Sequence, residues 1–160
     1  MKTKAAFAWA KEEEWITKNP LDKVETGTYR NKKNDRTITL EEYRKLLLAC
    51  PNQEWRVIII LARVGGLRPC EIVNLRWSRI NWEGKRVNVF SPKLIQHEKL
   101  RERDVPLFDR IPEELARLRL EYGNDLPEYV INCFPDRTNA NMVTDFAPIA
   151  ERAGIGPITF

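Results

Sequence analysis

Arg68 is the side chain of this sequence best set to work on a phosphate. It stands in Gly65-Gly66-Leu67-Arg68-Pro69-Cys70-Glu71, directly after an apolar run. Glycine tolerates the positive φ of a helix C-terminus, and proline suits the first position of a new helix. Arg68 therefore falls at or just before a helix N-terminus. There a planar guanidinium can grip two phosphate oxygens, and the backbone N–H groups add partial charge of the same sign. Glu71, three residues on, lies on the same side of that helix and can orient the guanidinium. The same contact also has a purely structural form, in which Arg68 neutralises Glu71 or caps a neighbouring carbonyl.

A second set of cations sits around Ser91-Pro92-Lys93, after an alternating run that ends at Phe90, with Lys99, Arg101 and Arg103 on the returning arm. Cations at a hairpin tip can reach into a nucleic-acid groove, and a lysine there can hand a proton to a leaving oxygen. A turn lysine also serves simple solubility. The third set is Arg30, Lys32, Lys33 and Arg36, in the polar stretch 21–37 that reads as a linker. Such a basic linker is either a solvated connection or a segment that tracks phosphates.

Other chemistries lack their residues. One histidine, His97, excludes two-histidine metal motifs and leaves any histidine triad to a loop residue. Neither a Gly-x-x-x-x-Gly-Lys-Ser/Thr loop nor a Gly-x-Gly-x-x-Gly fingerprint occurs. The acids are expected in helix first turns or on solvated faces, with no spacing that demands a metal. No cofactor and no metal are expected. Cys50, Cys70 and Cys133 are odd in number and far apart, which reads as buried apolar residues of a reducing compartment. The N-terminus turns acidic at Glu12-Glu13-Glu14 before a signal-peptide core is complete, and no segment reaches the length of a membrane span, so a cytoplasmic location is expected. A net charge of +4 and a pI near 9.0 lean toward a polyanionic partner.

The elements that must position these cations follow from periodicity. At 160 residues the chain is about one domain's worth and can bury a core without disulfide or metal. Ala5, Ala8, Trp9, Trp15 and Ile16 share a face at helical spacing, which predicts an amphipathic helix over 3–18, ended by Asn19-Pro20. Thr39-Leu40-Glu41-Glu42 is a capping box that opens a helix to about Ala49, with Leu40, Tyr43, Leu46 and Leu47 inward. Residues 55–64 predict a buried helix, and 69–76 a short one. Residues 77–82 and 86–90 alternate around the turn at Glu83-Gly84, and 101–107 can add a third antiparallel strand. Pro112 to Tyr122 and Asn141 to Ala153 predict two more helices, the latter containing Pro148. The fold class is mainly α with a small antiparallel β-sheet (α+β).

Gly66-Leu67-Arg68-Pro69-Cys70-Glu71-Ile72-Val73-Asn74-Leu75-Arg76-Trp77 resembles the first motif of the tyrosine recombinase (phage integrase) family, Gly-Leu-Arg-x-x-Glu-Ile-x-x-Leu-x-Trp. Thr37-Ile38-Thr39-Leu40-Glu41-Glu42 with Leu46-Leu47 is similar to the opening of that family's catalytic domain, and Ser91-Pro92-Lys93 with Arg103-Asp104-Val105-Pro106-Leu107 to its lysine hairpin. Phe7, Trp9, Ala10, Ile16, Asn19 and Pro20 look like the last helix of the preceding core-binding domain.

The resemblance implies residues 1–20 as that last helix, 21–37 as a basic linker, and 38–160 as the N-terminal part of the catalytic domain. It implies Arg68 as the first catalytic arginine, Glu71 as its supporting acid, and Lys93, with Lys99 as the alternative, as the hairpin general acid. Arg30, Lys32, Lys33, Arg36, Lys99 and Arg101 become candidates for DNA binding. The implied reaction is metal-free cleavage and rejoining of double-stranded DNA through a 3′-phosphotyrosine, carried out by several protomers on DNA. The family's second motif, His-x-Leu-Arg-His/Trp, and its tyrosine nucleophile are expected beyond Thr159, and Tyr29, Tyr43, Tyr122 and Tyr129 match no nucleophile position. The expectation is therefore a recombinase fragment that does not cut DNA by itself. The alternative is a non-catalytic DNA-binding or accessory module of the same fold.

Overall fold

A computed structural model describes residues 2–24, 36–92, 101–108, 110–156 and 158. The chain forms two units, Met1–Asp35 and Arg36–Phe160. In the first, α1 (Lys2–Glu12) stops six residues short of the expected end. Glu14 adopts φ 59°, while the Trp15 N–H bonds back to the Ala10 carbonyl at 2.9 Å and the Glu14 N–H to that of Lys11 at 3.2 Å. This is the Schellman pattern of a helix end. Its cause lies in Glu12-Glu13-Glu14, whose charges oppose the negative end of the helix dipole. Trp15 thus lies outside the helix, edge-on to Trp9 with centroids 4.9 Å apart. Residues 20–24 return alongside α1, where Lys4 Nζ donates to the Val24 carbonyl at 2.8 Å.

The second unit is organised around α3 (Gln53–Arg63), with α2 (Leu40–Ala49) before it. Both N-terminal caps are formed: the Thr39 hydroxyl accepts from the Glu42 N–H, the Glu42 carboxylate accepts from the Thr39 N–H, and Asn52 Oδ1 accepts from the Trp55 N–H. The α2 stripe is narrower than expected. Tyr43, Leu46 and Leu47 are buried, whereas Leu40, in the first turn, faces solvent. Trp55, Val57, Ile58, Ile59, Ile60 and Leu61 are all buried, so α3 is apolar nearly all round and forms the centre of the core. Burial of a side chain such as Ile58 contributes about 1.5–3 kcal/mol, so an acid there would break the fold.

Helix α4 (Pro69–Val73) ends three residues earlier than expected. Arg76 leaves it to bridge Tyr129, and a 3₁₀ turn, Trp77–Arg79, replaces the start of the expected strand. The strands β1 (Ile80–Asn81), β2 (Arg86–Phe90) and β3 (Glu102–Pro106) form one antiparallel sheet in that order, with Ile80 opposite Val87 and Val89 opposite Arg103. Helix α5 (Arg110–Tyr122) packs on α3 and ends at Gly123, where φ is 57°. Helix α6 (Met142–Arg152) packs on α2 and holds Pro148 inside it.

The acids are not all on solvated faces. Glu114 of α5 is buried, with the Arg56 guanidinium on both its oxygens at 3.0 and 3.3 Å and Gln53 Nε2 at 2.6 Å. Arg56 also donates to the Leu47 carbonyl at 2.7 Å, so one ion pair links α2, α3 and α5. Among the described residues, no helix is long and apolar enough to cross a membrane.

Candidate phosphate-binding site

The site is built where α3 ends. Gly66 takes φ 63°, and Gly65 has no room for a side chain, because a Cβ there would lie 2.8 Å from the Leu61 carbonyl oxygen and 2.9 Å from Leu67 Cδ1. The chain turns on these two residues and Pro69 starts α4, leaving Arg68 extended at its N-cap, φ −74° and ψ 151°. An arginine offers no acceptor to the helix, so Glu71 supplies the reverse half of a capping box. Its Oε2 accepts the Arg68 backbone N–H at 2.8 Å.

Glu71 is the hub. Its side chain is fully buried, and four side-chain donors join the Arg68 amide on it. Arg68 Nη1 reaches Oε1 at 3.1 Å, the Ser91 hydroxyl reaches Oε1 at 2.5 Å, and Arg103 donates through Nη1 to Oε1 at 2.6 Å and through Nη2 to Oε2 at 2.8 Å. Burial alone would raise the Glu71 carboxyl. The hydrogen bonds from Arg103, Ser91 and the Arg68 amide outweigh it and hold the carboxyl down at about 2. Glu71 is therefore a fixed anion across the physiological range.

Arg68 is held at one end only. Its Nη1 bonds to Glu71 and, at 3.3 Å, to Ser91 Oγ, while its side chain is 57% exposed. Among the described residues, its Nε and Nη2 carry no hydrogen bond, so one two-pronged edge of the guanidinium is left unpaired. Such an edge matches two oxygens of a phosphate. The paired and the phosphate-gripping readings of Arg68 thus coexist: one nitrogen anchors the fork and the remaining two are presented.

The other expected residues divide. Arg36 pairs with the Glu42 carboxylate, which reduces its value as a free cation. The Arg101 carbonyl accepts the Ser91 N–H at 2.7 Å, closing the base of the hairpin. Lys93, Lys99, Arg30, Lys32 and Lys33, together with His97, lie outside the described residues.

The sequence offers Arg103 only as a hairpin cation and Ser91 only as part of the Ser91-Pro92-Lys93 turn, and pairs neither with Glu71. A signal was present, because Arg103 shares the inward face of β3 with buried Val105, and Ser91 continues the buried Val87, Val89 face of β2. A charged residue at an inward strand position requires a partner, and Glu71 is that partner. An open cleft of about 480 Å³ is lined by other residues, Asn74, Arg76, Ser78, Arg79, Phe90 and Tyr129. The Tyr129 ring carries the Arg76 and Arg137 guanidinium groups at 5.0 and 3.9 Å from its centroid, and Arg76 is also paired with Glu128 at 2.5 Å.

Solved structures share this architecture. A lambda integrase dimer bound to a COC′ core site matches with a TM-score of 0.69 at 20% identity, over 98% of this chain and 57% of that one. A lambda integrase tetramer bound to a Holliday junction gives 0.68 at 20% identity, over 98% and 46%. XerA recombinase gives 0.61 at 20% identity, over 79% and 46%. The chain spans about half the length of these proteins. No curated protein matches it in sequence. The sequence pattern of the Phage integrase family matches residues 36–156, a stretch that holds α2 through α6, the Arg68 edge and its Glu71 hub, and the chain belongs to that family.

Proposed function

We propose that this chain is part of a DNA site-specific recombinase, in which the outward edge of Arg68 grips the scissile phosphate. The observation that carries this reading is the anchored arginine at the start of α4, with Nη1 on the buried Glu71, a side chain 57% exposed and, among the described residues, no hydrogen bond on Nε or Nη2. A phosphoryl transition state gathers charge on its non-bridging oxygens, and a guanidinium already held in place stabilises that charge without reorganising. Lys93, with Lys99 as the alternative, protonates the departing 5′ oxygen, and a tyrosine of the complete protein forms the 3′-phosphotyrosine that keeps the phosphodiester energy for rejoining. Double-stranded DNA is the substrate, and further protomers on the same DNA are partners, as in the DNA-bound lambda integrase dimer and tetramer. Residues 1–20 close a core-binding domain, 21–37 link it, and 38–160 begin the catalytic domain. Arg30, Lys32, Lys33, Arg36, Lys99 and Arg101 add backbone contacts.

The test is Arg68→Ala in the complete protein, read by denaturing-gel detection of covalent protein–DNA adduct alongside DNA binding over a salt series. The expected result is loss of adduct with most of the affinity kept, and with affinity falling as salt rises. Equal loss of both assigns Arg68 to folding. DNA binding without adduct in the unmutated complete protein identifies a binding module.

A further inference from the structure

Arg68 is too exposed for packing to fix it, so the hydrogen bonds at its anchored end must do so. Those bonds go to Glu71 and, more weakly, to Ser91, and a carboxylate's terminal torsion is broad unless something holds its plane. Arg103 holds it, with one Nη on each oxygen. The Ser91 hydroxyl adds a second contact to Oε1 and also accepts from Arg68 Nη1. Ser91 follows β2, Arg103 lies in β3, and Arg68 and Glu71 open α4. The hairpin base and the arginine are thus joined through one carboxylate.

We infer that Arg103 is a positioning residue for Arg68, acting through Glu71 and locking the base of the β2–β3 hairpin to the start of α4. This rests on the reading of Arg68 as the phosphate-gripping residue. Charge alone does not account for the arrangement: a lysine at 103 would neutralise Glu71 equally well, yet would make a point contact and leave the carboxylate plane free. The Arg103→Lys variant therefore separates positioning from mere neutralisation, and it keeps the charge balance that folding needs.

The first readout uses this chain. The Arg68 Nε–Hε signal in ¹⁵N NMR is expected to lose order in Arg103→Lys and further in Arg103→Gln, while the backbone amide spectrum stays folded. An Arg68 signal unchanged in both variants overturns the inference. If Arg103→Gln fails to fold, Arg103→Lys alone decides. The second readout is single-turnover cleavage at saturating DNA in the complete protein. Arg103→Lys is expected to slow cleavage about tenfold or more with DNA affinity kept, since small displacements of a positioned group carry costs of that order. The cleavage profile of Arg103→Gln gains an acid limb, because Glu71 has lost its strongest partner and protonates more readily; a residue that only stabilised the fold would not move that limb. Full cleavage in Arg103→Lys beside lost cleavage in Arg68→Ala overturns the inference and leaves the recombinase reading standing. Full cleavage in Arg68→Ala overturns both.

Discussion

Arg103 closes on both oxygens of Glu71, at 2.6 and 2.8 Å, across 32 residues of sequence. Because the carboxylate is buried and its cationic partners are partly exposed, the cost of disturbing the cluster falls mainly on the acid. Glu71→Gln keeps the shape and removes the charge, and is expected to destabilise the chain by about 2 kcal/mol, the scale of hydrogen bonds to a charged group. The pH dependence follows from the lowered carboxyl. Its folded value of about 2 lies below the unfolded 4.5, so its contribution is fully present above pH 4.5 and is lost as the pH falls from there toward 2. Urea midpoints of the wild type and Glu71→Gln should converge over that window; a constant gap would contradict the assignment.

Gly65 and Gly66 matter for different reasons, and their alanine variants should differ. Gly65→Ala forces a Cβ against the Leu61 carbonyl oxygen, which cannot move without breaking the end of α3. A loss of about 2–3 kcal/mol is expected, in the range of overpacking. Gly66→Ala meets open space and carries only the strain of φ 63°, about 1 kcal/mol. Equilibrium unfolding of the two variants gives the comparison, and a larger loss at Gly66 would refute it.

Glu54 ties α3 to the segment after α5. Its carboxylate accepts from the Tyr122 hydroxyl and from the backbone N–H groups of Asn132 and Cys133, the latter two at 3.0 and 2.7 Å. Burial, and then the bond to Glu54, push the Tyr122 phenol from 10.0 up to about 12. Its contribution is present below pH 10 and disappears as the pH rises from 10 to about 12. Tyr122→Phe should cost about 1–2 kcal/mol at neutral pH and progressively less above pH 10. Phenolate absorbance during an alkaline titration of the folded chain checks the same point: Tyr122 should ionise late, as should Tyr43, whose phenol burial also pushes up, and Tyr122→Phe should remove part of that late absorbance.

The general-acid role proposed for Lys93 has a chemical test. In the complete protein, Lys93→Ala should slow strand cleavage by about 10²–10⁴-fold, the usual worth of general-acid help. A substrate whose bridging 5′ oxygen is replaced by sulfur leaves without a proton and should restore the rate. Restoration in Lys99→Ala instead would transfer the role to that residue.

The regular elements of this chain were legible because each rests on local rules. The caps at Thr39 and Gly123, the helix start at Pro69 and the alternation of β2 all follow from neighbours in sequence. The misreadings are tertiary or electrostatic. Leu40 fits the apolar stripe of α2 but lies in its first turn, beyond the core. The 3–18 stripe ran through Glu12-Glu13-Glu14, whose charges end α1 early. Trp77–Arg79 alternates like a strand, yet the pairing of Arg76 with Tyr129 bends it into a 3₁₀ turn. In the candidate site, Arg68 and Glu71 were visible three residues apart. Arg103 and Ser91 meet Glu71 only through strand register, which fixes an inward arginine without naming the acid it will find.

The strand β3 lies at an edge of the sheet. Among the described residues, β3 is paired on one side only, and it reads Glu102-Arg103-Asp104-Val105-Pro106. Three charges and a terminal proline make a poor template for another strand. Arg103, already spent on Glu71, and the exposed Glu102 and Asp104 therefore leave that rim with no flat apolar edge on which a second strand could zip.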